Sequence, residues 1–186
     1  MSDLLSLTAK LVDIPSVSSE EKAIADYIES ELHQIPGLQV ERIGDNLVAR
    51  TNLGHAQRIL LAGHTDTVPG PQGSRIEGDV LWGLGSADMK SGLAVMLELA
   101  RTITEPKIDI TWVFYVCEEV QSDRNGLRHL FTEVEELLEA DAAVLGEPTN
   151  AMIEAGCQGT MRFEVILRGT RAHTARPWMG VNAIHR

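Results

Sequence analysis

Three short apolar runs, separated by stretches of helical pattern, constrain the fold of this chain more than any other feature. The runs are residues 59–63, 109–117 and 142–145. The first two are typical of strands buried on both faces of a parallel sheet, and the third predicts a further short strand. Helices are predicted in four other segments, which are 3–12, 19–34, 91–104 and 126–139. This alternation predicts a layered α/β domain with a mixed, largely parallel sheet.

Smaller elements are predicted between and after these segments. Turn residues and short apolar stretches predict strands at 38–43 and 47–51 and a small hairpin at 75–82. Ser18 and Glu21 form a Ser-x-x-Glu pattern, which predicts a capping box at the start of the second helix. Residues 161–167 alternate as a half-exposed strand does, and a last helix is predicted from about Val181.

The acidic balance of the chain limits its expected partners. The 16 basic and 27 acidic residues give a net charge of −11. Because an acidic surface repels phosphate backbones and anionic lipids, we expect neither a nucleic acid nor a membrane partner. The two cysteines, Cys117 and Cys157, form no disulfide framework, and the N-terminus lacks the pattern of a secretory leader. A cytoplasmic location is therefore predicted.

A polar, potentially reactive side chain follows each apolar run. These side chains are His64, Glu118 and Glu147. Ligands of α/β sheets bind at the carboxyl ends of the strands, so we expect the three side chains to lie near one another. Taken singly, each has a simpler interpretation, because lone histidines and acidic turns are common on protein surfaces.

The neighbours of these residues strengthen the functional interpretation. Asp66 lies two residues after the histidine and can hold its imidazole in the form that binds metal. Asp88 lies in a glycine-rich segment before a helix. There its negative charge either interacts favourably with the helix dipole or bridges two cations. The spacing there is not that of a phosphate-binding loop. Glu118 and Glu119 form either a solvated acidic turn or a base beside a metal ligand. Imidazole with carboxylates and no thiolate suits Zn²⁺, Co²⁺ or Mn²⁺ in a hydrolytic site.

Five segments of the chain together resemble the M20 metallopeptidase family. They are residues 62–69, 88–92, 117–119, 145–149 and 171–173. The segments 154–159 and 125–127 are most similar to the actinobacterial succinyl-diaminopimelate desuccinylase branch of that family. The resemblance implies a zinc-exopeptidase-like fold and removal of succinate from N-succinyl-LL-2,6-diaminopimelate. A related acetylornithine deacetylase or dipeptidase is the alternative substrate class, and an inactive metal-binding or dimerisation module is the alternative of another kind.

The resemblance also implies a set of metal ligands. His64 and Glu147 would bind one zinc ion, and Glu119 would bind a second. Asp88 would bridge the two ions. Two Zn²⁺ ions are therefore expected, with Co²⁺ or Mn²⁺ as alternatives.

Roles in catalysis and substrate binding are implied for four further residues. Glu118 would act as the general base, and Asp66 would orient the histidine ligand. His173 matches a histidine that the family's lid domain brings to the active site of the neighbouring subunit. Arg176 is either a residue that binds a carboxylate of a small N-acyl amino acid substrate or a solvated charge.

The family's domain plan implies that residues 1–158 form the N-terminal part of the catalytic domain. Residues 159–186 would begin an α+β lid and dimerisation domain, so a homodimer is expected. Family members are longer, and their later part supplies a second histidine ligand that no histidine here matches. We therefore expect these 186 residues to be one piece of a longer polypeptide, with weak metal binding and little activity of their own.

Overall fold

The structure of the protein, a computed structural model, describes residues 3–156, 161 and 163–185. The chain divides into two compact units, Met1–Ala151 and Met152–Arg186. Within the described residues, all named strands and all α-helices belong to the first unit. The boundary at 158/159 between a catalytic and a lid domain stays a prediction.

A five-stranded mixed sheet forms the centre of the first unit. The strands of the unit are β1 (Gln39–Ile43), β2 (Asn46–Arg50), β3 (Arg58–His64), β4 (Arg75–Glu77), β5 (Val80–Trp82), β6 (Asp109–Tyr115) and β7 (Ala142–Leu145). The sheet order is β1-β2-β6-β3-β7, and β4 pairs with β5 as a separate hairpin. The pairs β6–β3 and β3–β7 are parallel, whereas β1–β2 and β2–β6 are antiparallel. The sheet confirms the predicted α/β class, and its parallel part is limited to β6, β3 and β7.

Helices cover both faces of this sheet. They are α1 (Leu4–Val12), α2 (Lys22–Leu32), α3 (Ser91–Thr102), α4 (Gly126–Glu133) and α5 (Glu135–Leu138). The larger core packs α1, α2 and α3 against one face, which includes Trp112 and Phe114 of β6. The smaller core packs α4 and α5 against the other face, which includes Val113 and Tyr115. Because side chains alternate along a strand, β6 contributes to both cores and is buried throughout.

Most predicted elements of the first unit are present, with two differences in the helices. The predicted helix at 126–139 is divided at Val134 into α4 and α5. The second helix begins at Lys22, later than its predicted start at 19. Strand β7 lies at the sheet edge, and all four of its residues are exposed.

The predicted strand at 161–167 is wrong for the part that the structure describes. Residues 163–167 form no ladder, and the side chain of Phe163 is 81% exposed. The predicted helix from Val181 is also absent over 181–185, where that residue instead forms an isolated bridge with Thr170. An alternating pattern is consistent with a strand that has one buried face. A strand also needs hydrogen bonds to a partner backbone, which the pattern does not provide. Among the described residues of the second unit, Pro177–Met179 form a 3₁₀ turn.

Candidate metal centre

His64 ends β3 with its imidazole buried and oriented by Asp66. The side chain is 1% exposed. Its Nδ1 lies 3.1 Å from the backbone oxygen of Asp66 and 3.4 Å from the carboxylate Oδ1 of the same residue. Because a carbonyl oxygen can only accept, Nδ1 donates its proton there, and the other nitrogen presents a lone pair once it is deprotonated. That nitrogen, Nε2, is the one that can bind a metal.

The carboxylates of two other loops face His64 Nε2. Asp88 Oδ1 lies 2.9 Å from this nitrogen, and Glu147 Oε1 lies 3.7 Å from it. His64, Asp88 and Glu119 each offer one ligand atom, and these atoms all lie within 4.8 Å of one another. The structure therefore brings together His64, Asp88, Glu119 and Glu147, which were all predicted as ligands.

The electrostatics of this cluster fit a bound cation. Burial raises the pKa of Glu119, and the negative charge of Asp88 raises it further. Burial also raises the pKa of Glu147, although the neighbouring His64 opposes this. Burial lowers the pKa of His64, but its hydrogen bond to Asp66 and the charge of Glu147 outweigh this and raise that pKa to about 9. Carboxylates that repel one another around an imidazole favour a positive charge between them, which a bound metal cation would supply.

Asp66 connects the histidine to the turn that follows β6. Its side chain is 0% exposed. Oδ1 accepts from the backbone N–H of Glu118 at 2.9 Å, and Oδ2 accepts from that of Glu119 at 3.1 Å. Oδ2 also accepts from the hydroxyl of Ser18 at 2.7 Å. Burial alone would raise the pKa of Asp66, but the bonds to His64, Ser18 and the two amides lower it, so the group stays ionised.

Asp88 and Glu147 are placed by close backbone packing around the start of α3. Asp88 lies in an irregular turn, Ser86–Lys90, which leads directly into that helix. A Cβ atom on Gly92, in the first turn of the helix, would lie 2.4 Å from the carbonyl oxygen of Gly146. Glycine is therefore needed where the helix meets the backbone that leads to Glu147.

The capping box predicted from Ser18 and Glu21 is wrong. Helix α2 has no side-chain cap at Glu21. Ser18 donates to Asp66, and Glu21 Oε1 accepts from the backbone N–H of Cys117 at 3.0 Å. Both residues therefore contact the site region. The sequence pattern did not reveal these contacts, because Ser-x-x-Glu is also typical of the start of a helix.

Tyr115 is a further residue near the site that the sequence analysis did not identify. Its ring stands edge-on to the His64 imidazole with centroids 6.3 Å apart. Burial raises the pKa of the phenol, and the charges of Glu147 and Glu118 raise it further, so Tyr115 is a neutral neighbour of the cluster. Tyr115 is the last residue of β6, and the apolar pattern of that strand does not distinguish it from a core residue.

The remaining predicted site residues are exposed. Glu118 follows β6 with an exposed side chain and a fixed backbone N–H. His173 and Arg176 belong to the second unit, where the backbone N–H of Arg176 donates to the carbonyl of His173 at 2.8 Å. The roles of these three residues stay predictions.

The family of the chain follows from its similarity to known proteins. The family model of Peptidase family M20/M25/M40 matches residues 60–183. The chain belongs to this family. A solved structure of a tripeptidase from Staphylococcus aureus is 26% identical and superposes with a TM-score of 0.69, covering 97% of this chain and 53% of that one. No helix among the described residues combines the length and apolarity needed to cross a bilayer.

Curated relatives are more similar still. A Mycobacterium tuberculosis protein named as a succinyl-diaminopimelate desuccinylase is 54% identical over 187 residues, covering 99% of this chain and 53% of that protein. The succinyl-diaminopimelate desuccinylase of Corynebacterium glutamicum is 51% identical over 193 residues, covering 100% of this chain and 52% of that protein. An acetylornithine deacetylase of Klebsiella pneumoniae is 32% identical over 195 residues, covering 94% of this chain and 50% of that protein. The chain thus spans about half the length of the curated relatives it matches. Residues 157–159 of the segment that resembles the desuccinylase branch lie outside the described residues.

Proposed function

We propose that the complete gene product is a metal-dependent amide hydrolase that releases succinate from N-succinyl-LL-2,6-diaminopimelate. The observation that carries this proposal is the cluster of His64, Asp88 and Glu119, with Glu147 beside it and Glu118 on the adjoining turn. The substrate is proposed from the names of two relatives, which are 54% and 51% identical to this chain.

Two divalent cations, Zn²⁺ or alternatively Co²⁺ or Mn²⁺, are proposed for this cluster. His64 and Glu147 would hold one, Glu119 would hold the other, and Asp88 would bridge both through its two oxygens. When bound, the cations would supply a Lewis acid for the scissile amide carbonyl. The carboxylates around His64, which raise its pKa to about 9, favour a positive charge at this cluster.

Glu118 is proposed as the proton carrier of the reaction. Its carboxylate takes a proton from the attacking water and later delivers that proton to the leaving amine. Its backbone N–H and that of Glu119 both bind Asp66, so the base and the neighbouring ligand are held by the residue that orients His64. The intact Glu118 argues against an inactive metal-binding module, which has no need of a base beside its ligands.

The second unit is proposed to begin a lid through which the complete protein forms a homodimer. His173 would reach the partner's active site, and Arg176 would bind a substrate carboxylate. Both side chains are exposed, which leaves them accessible for these roles. The cytoplasmic location stays a prediction beside these proposals.

Replacement of Glu118 by Gln in the complete gene product tests the proposed chemistry. The variant keeps the size of the side chain but loses the base, so kcat for succinate release should fall by about 10²–10⁴. The metal content, measured by atomic emission, should match that of the unaltered protein. Turnover that survives the substitution would show that the base is assigned to the wrong residue.

Comparison of two substrates separates the desuccinylase from its runner-up. Succinate release from N-succinyl-LL-2,6-diaminopimelate should exceed acetate release from acetylornithine. The acetylornithine deacetylase among the relatives is 32% identical to this chain, which is less than either desuccinylase. The opposite preference would support the deacetylase, and hydrolysis of dipeptides alone would support a dipeptidase.

A further inference from the structure

Glu21 is a buried carboxylate that the proposed mechanism does not use. Its side chain is 2% exposed, in the loop that ends at the start of α2. Within the described residues it forms no ion pair with Lys or Arg. Its Oε1 accepts from the backbone N–H of Cys117 at 3.0 Å and lies 3.4 Å from the thiol of the same residue. A buried acid is costly unless its hydrogen bonds repay the loss of water, so this contact with Cys117 needs an explanation.

The contact is made at the start of the turn that presents the proposed base and one metal ligand. Cys117 has φ 58°, in the left-handed region. A residue other than glycine is disfavoured in this region by about 1–2 kcal/mol, so the turn requires support from its surroundings. Three successive amides supply it, because those of Cys117, Glu118 and Glu119 all donate to buried carboxylates. Glu21 accepts from the first of them, and Asp66 accepts from the other two.

The loop that holds Glu21 is itself fixed to the site. The backbone N–H of Ser18 donates to the carbonyl of Thr67, and the Ser18 hydroxyl donates to Asp66. The hydroxyl of Ser16 donates to the carbonyl of Thr65 at 2.8 Å. A single loop therefore binds both the segment after β3 and, through Glu21, the turn after β6.

We infer that Glu21 is a positioning residue, which holds the Cys117 amide and thereby fixes the turn that presents Glu118 and Glu119. Without this acceptor, the amide of Cys117 would be buried and unpaired, and the turn would relax from its left-handed conformation. A shift of about 1 Å in a catalytic group can cost about 10²-fold in rate. The effect on turnover rests on the proposed function, whereas the effect on the turn does not.

The test compares Glu21→Ala with Glu21→Gln in the complete gene product. Glu21→Ala removes the acceptor, so amide hydrogen exchange over residues 116–120 should rise at least about 10-fold, and kcat should fall about 10–100-fold with KM little changed. Glu21→Gln keeps a carbonyl acceptor at the same position, so both quantities should stay within about threefold of the unaltered protein. Asp109→Ala is the matched control, because Asp109 is another buried carboxylate that accepts loop amides, at the far end of β6.

Several outcomes would overturn the inference. One is a folded Glu21→Ala variant with unchanged exchange at 116–120 and unchanged kcat. Another is a Glu21→Gln variant as impaired as Glu21→Ala, since that would assign the effect to the charge rather than to the acceptor. If Glu21→Ala does not fold, Glu21→Asp takes its place, because it withdraws the carboxylate by one methylene. Unchanged exchange at 116–120 and unchanged kcat in Glu21→Asp would then overturn the inference. If the unaltered protein releases no succinate, the proposed function fails, while the exchange comparison still decides the role of Glu21.

Discussion

Two buried aspartates at opposite ends of the parallel strands form nearly the same contacts in different electrostatic surroundings. Asp66 follows β3, and its carboxylate accepts from two backbone amides and the Ser18 hydroxyl. Asp109 begins β6, and its carboxylate accepts from the amides of Leu53 and His55 and from the hydroxyl of Thr51. Both are 3% exposed or less. Each therefore fixes a loop to the sheet by the same hydrogen-bonding arrangement.

The difference lies in what surrounds each carboxylate. Beside Asp109 is the guanidinium of Arg58, with an N–O distance of 3.8 Å. Beside Asp66 is His64, whose other nitrogen faces two further carboxylates. The end with Asp109 is thus locally balanced in charge, whereas the end with Asp66 has an excess of negative charge that favours a cation. A buried carboxylate with amide partners therefore fixes a loop, and the charges on that loop decide whether a site results.

Replacement of Asp66 by Ala should have the largest effect in this comparison. It leaves two amides without their acceptor and removes the carboxylate that lies 3.4 Å from His64 Nδ1, so the free energy of unfolding should fall by about 3 kcal/mol. Affinity for Zn²⁺ should fall by about 10–100-fold, as expected when the group orienting a histidine ligand is lost. Urea denaturation and calorimetric titration of Zn²⁺ measure the two quantities. Unchanged Zn²⁺ affinity in a folded variant would show that Asp66 only fixes loops.

Replacement of Asp109 by Ala should affect stability alone. Loss of its three hydrogen bonds should lower the free energy of unfolding by about 2 kcal/mol, measured by the same denaturation. Zn²⁺ affinity should remain within about twofold of the unaltered chain, because the residue lies at the end of β6 away from the cluster. A large loss of Zn²⁺ affinity would contradict the separation of the two ends.

The pH dependence of stability should also differ once Asp109 is replaced. The amide and hydroxyl bonds outweigh burial and lower the pKa of Asp109 from its ordinary 3.8 to about 2. A carboxylate with a lowered pKa in the folded state stabilises the fold above about pH 4, and that stabilisation is lost as the pH falls to 2. Between these pH values the unaltered chain should lose about 2 kcal/mol more than Asp109→Ala does. Urea denaturation at several pH values measures these losses of unfolding free energy. Equal losses in the two proteins would mean that another group controls the acid transition.

Replacement of Ser18 by Ala should have the smallest effect. It removes one of the bonds to Asp66 but leaves both turn amides paired, so the free energy of unfolding should fall by about 1 kcal/mol. Thr51→Ala is the corresponding change beside Asp109 and should have a similar effect on stability. Only Ser18→Ala should weaken Zn²⁺ binding. An equal loss of Zn²⁺ affinity in both variants would remove the distinction between the two aspartates.

The sequence predicted the first unit well because its signals are local. Apolar runs and helical spacing identified β3, β6 and β7, as well as α1 and α3, with bounds close to those of the structure. The same patterns failed in the second unit, where residues 163–167 have the alternation of a strand but no partner in the described part of the chain. A strand is completed by hydrogen bonds to a second backbone, which a pattern within one segment does not specify.

The order of residues along the chain already indicates which side chains can meet. His64 ends one strand of the sheet, and Glu119 and Glu147 follow two others. The carboxyl ends of these parallel strands lie at the same edge of the sheet, so the proximity of the three side chains follows from order along the chain. Only the tertiary structure decided how they are held. The bond from Ser18 to Asp66 spans 48 residues, and that from the Cys117 amide to Glu21 spans 96. Contacts at such separation depend on how the loops pack against the sheet, so the Ser-x-x-Glu pattern that is typical of a helix cap instead supplies hydrogen bonds to the site.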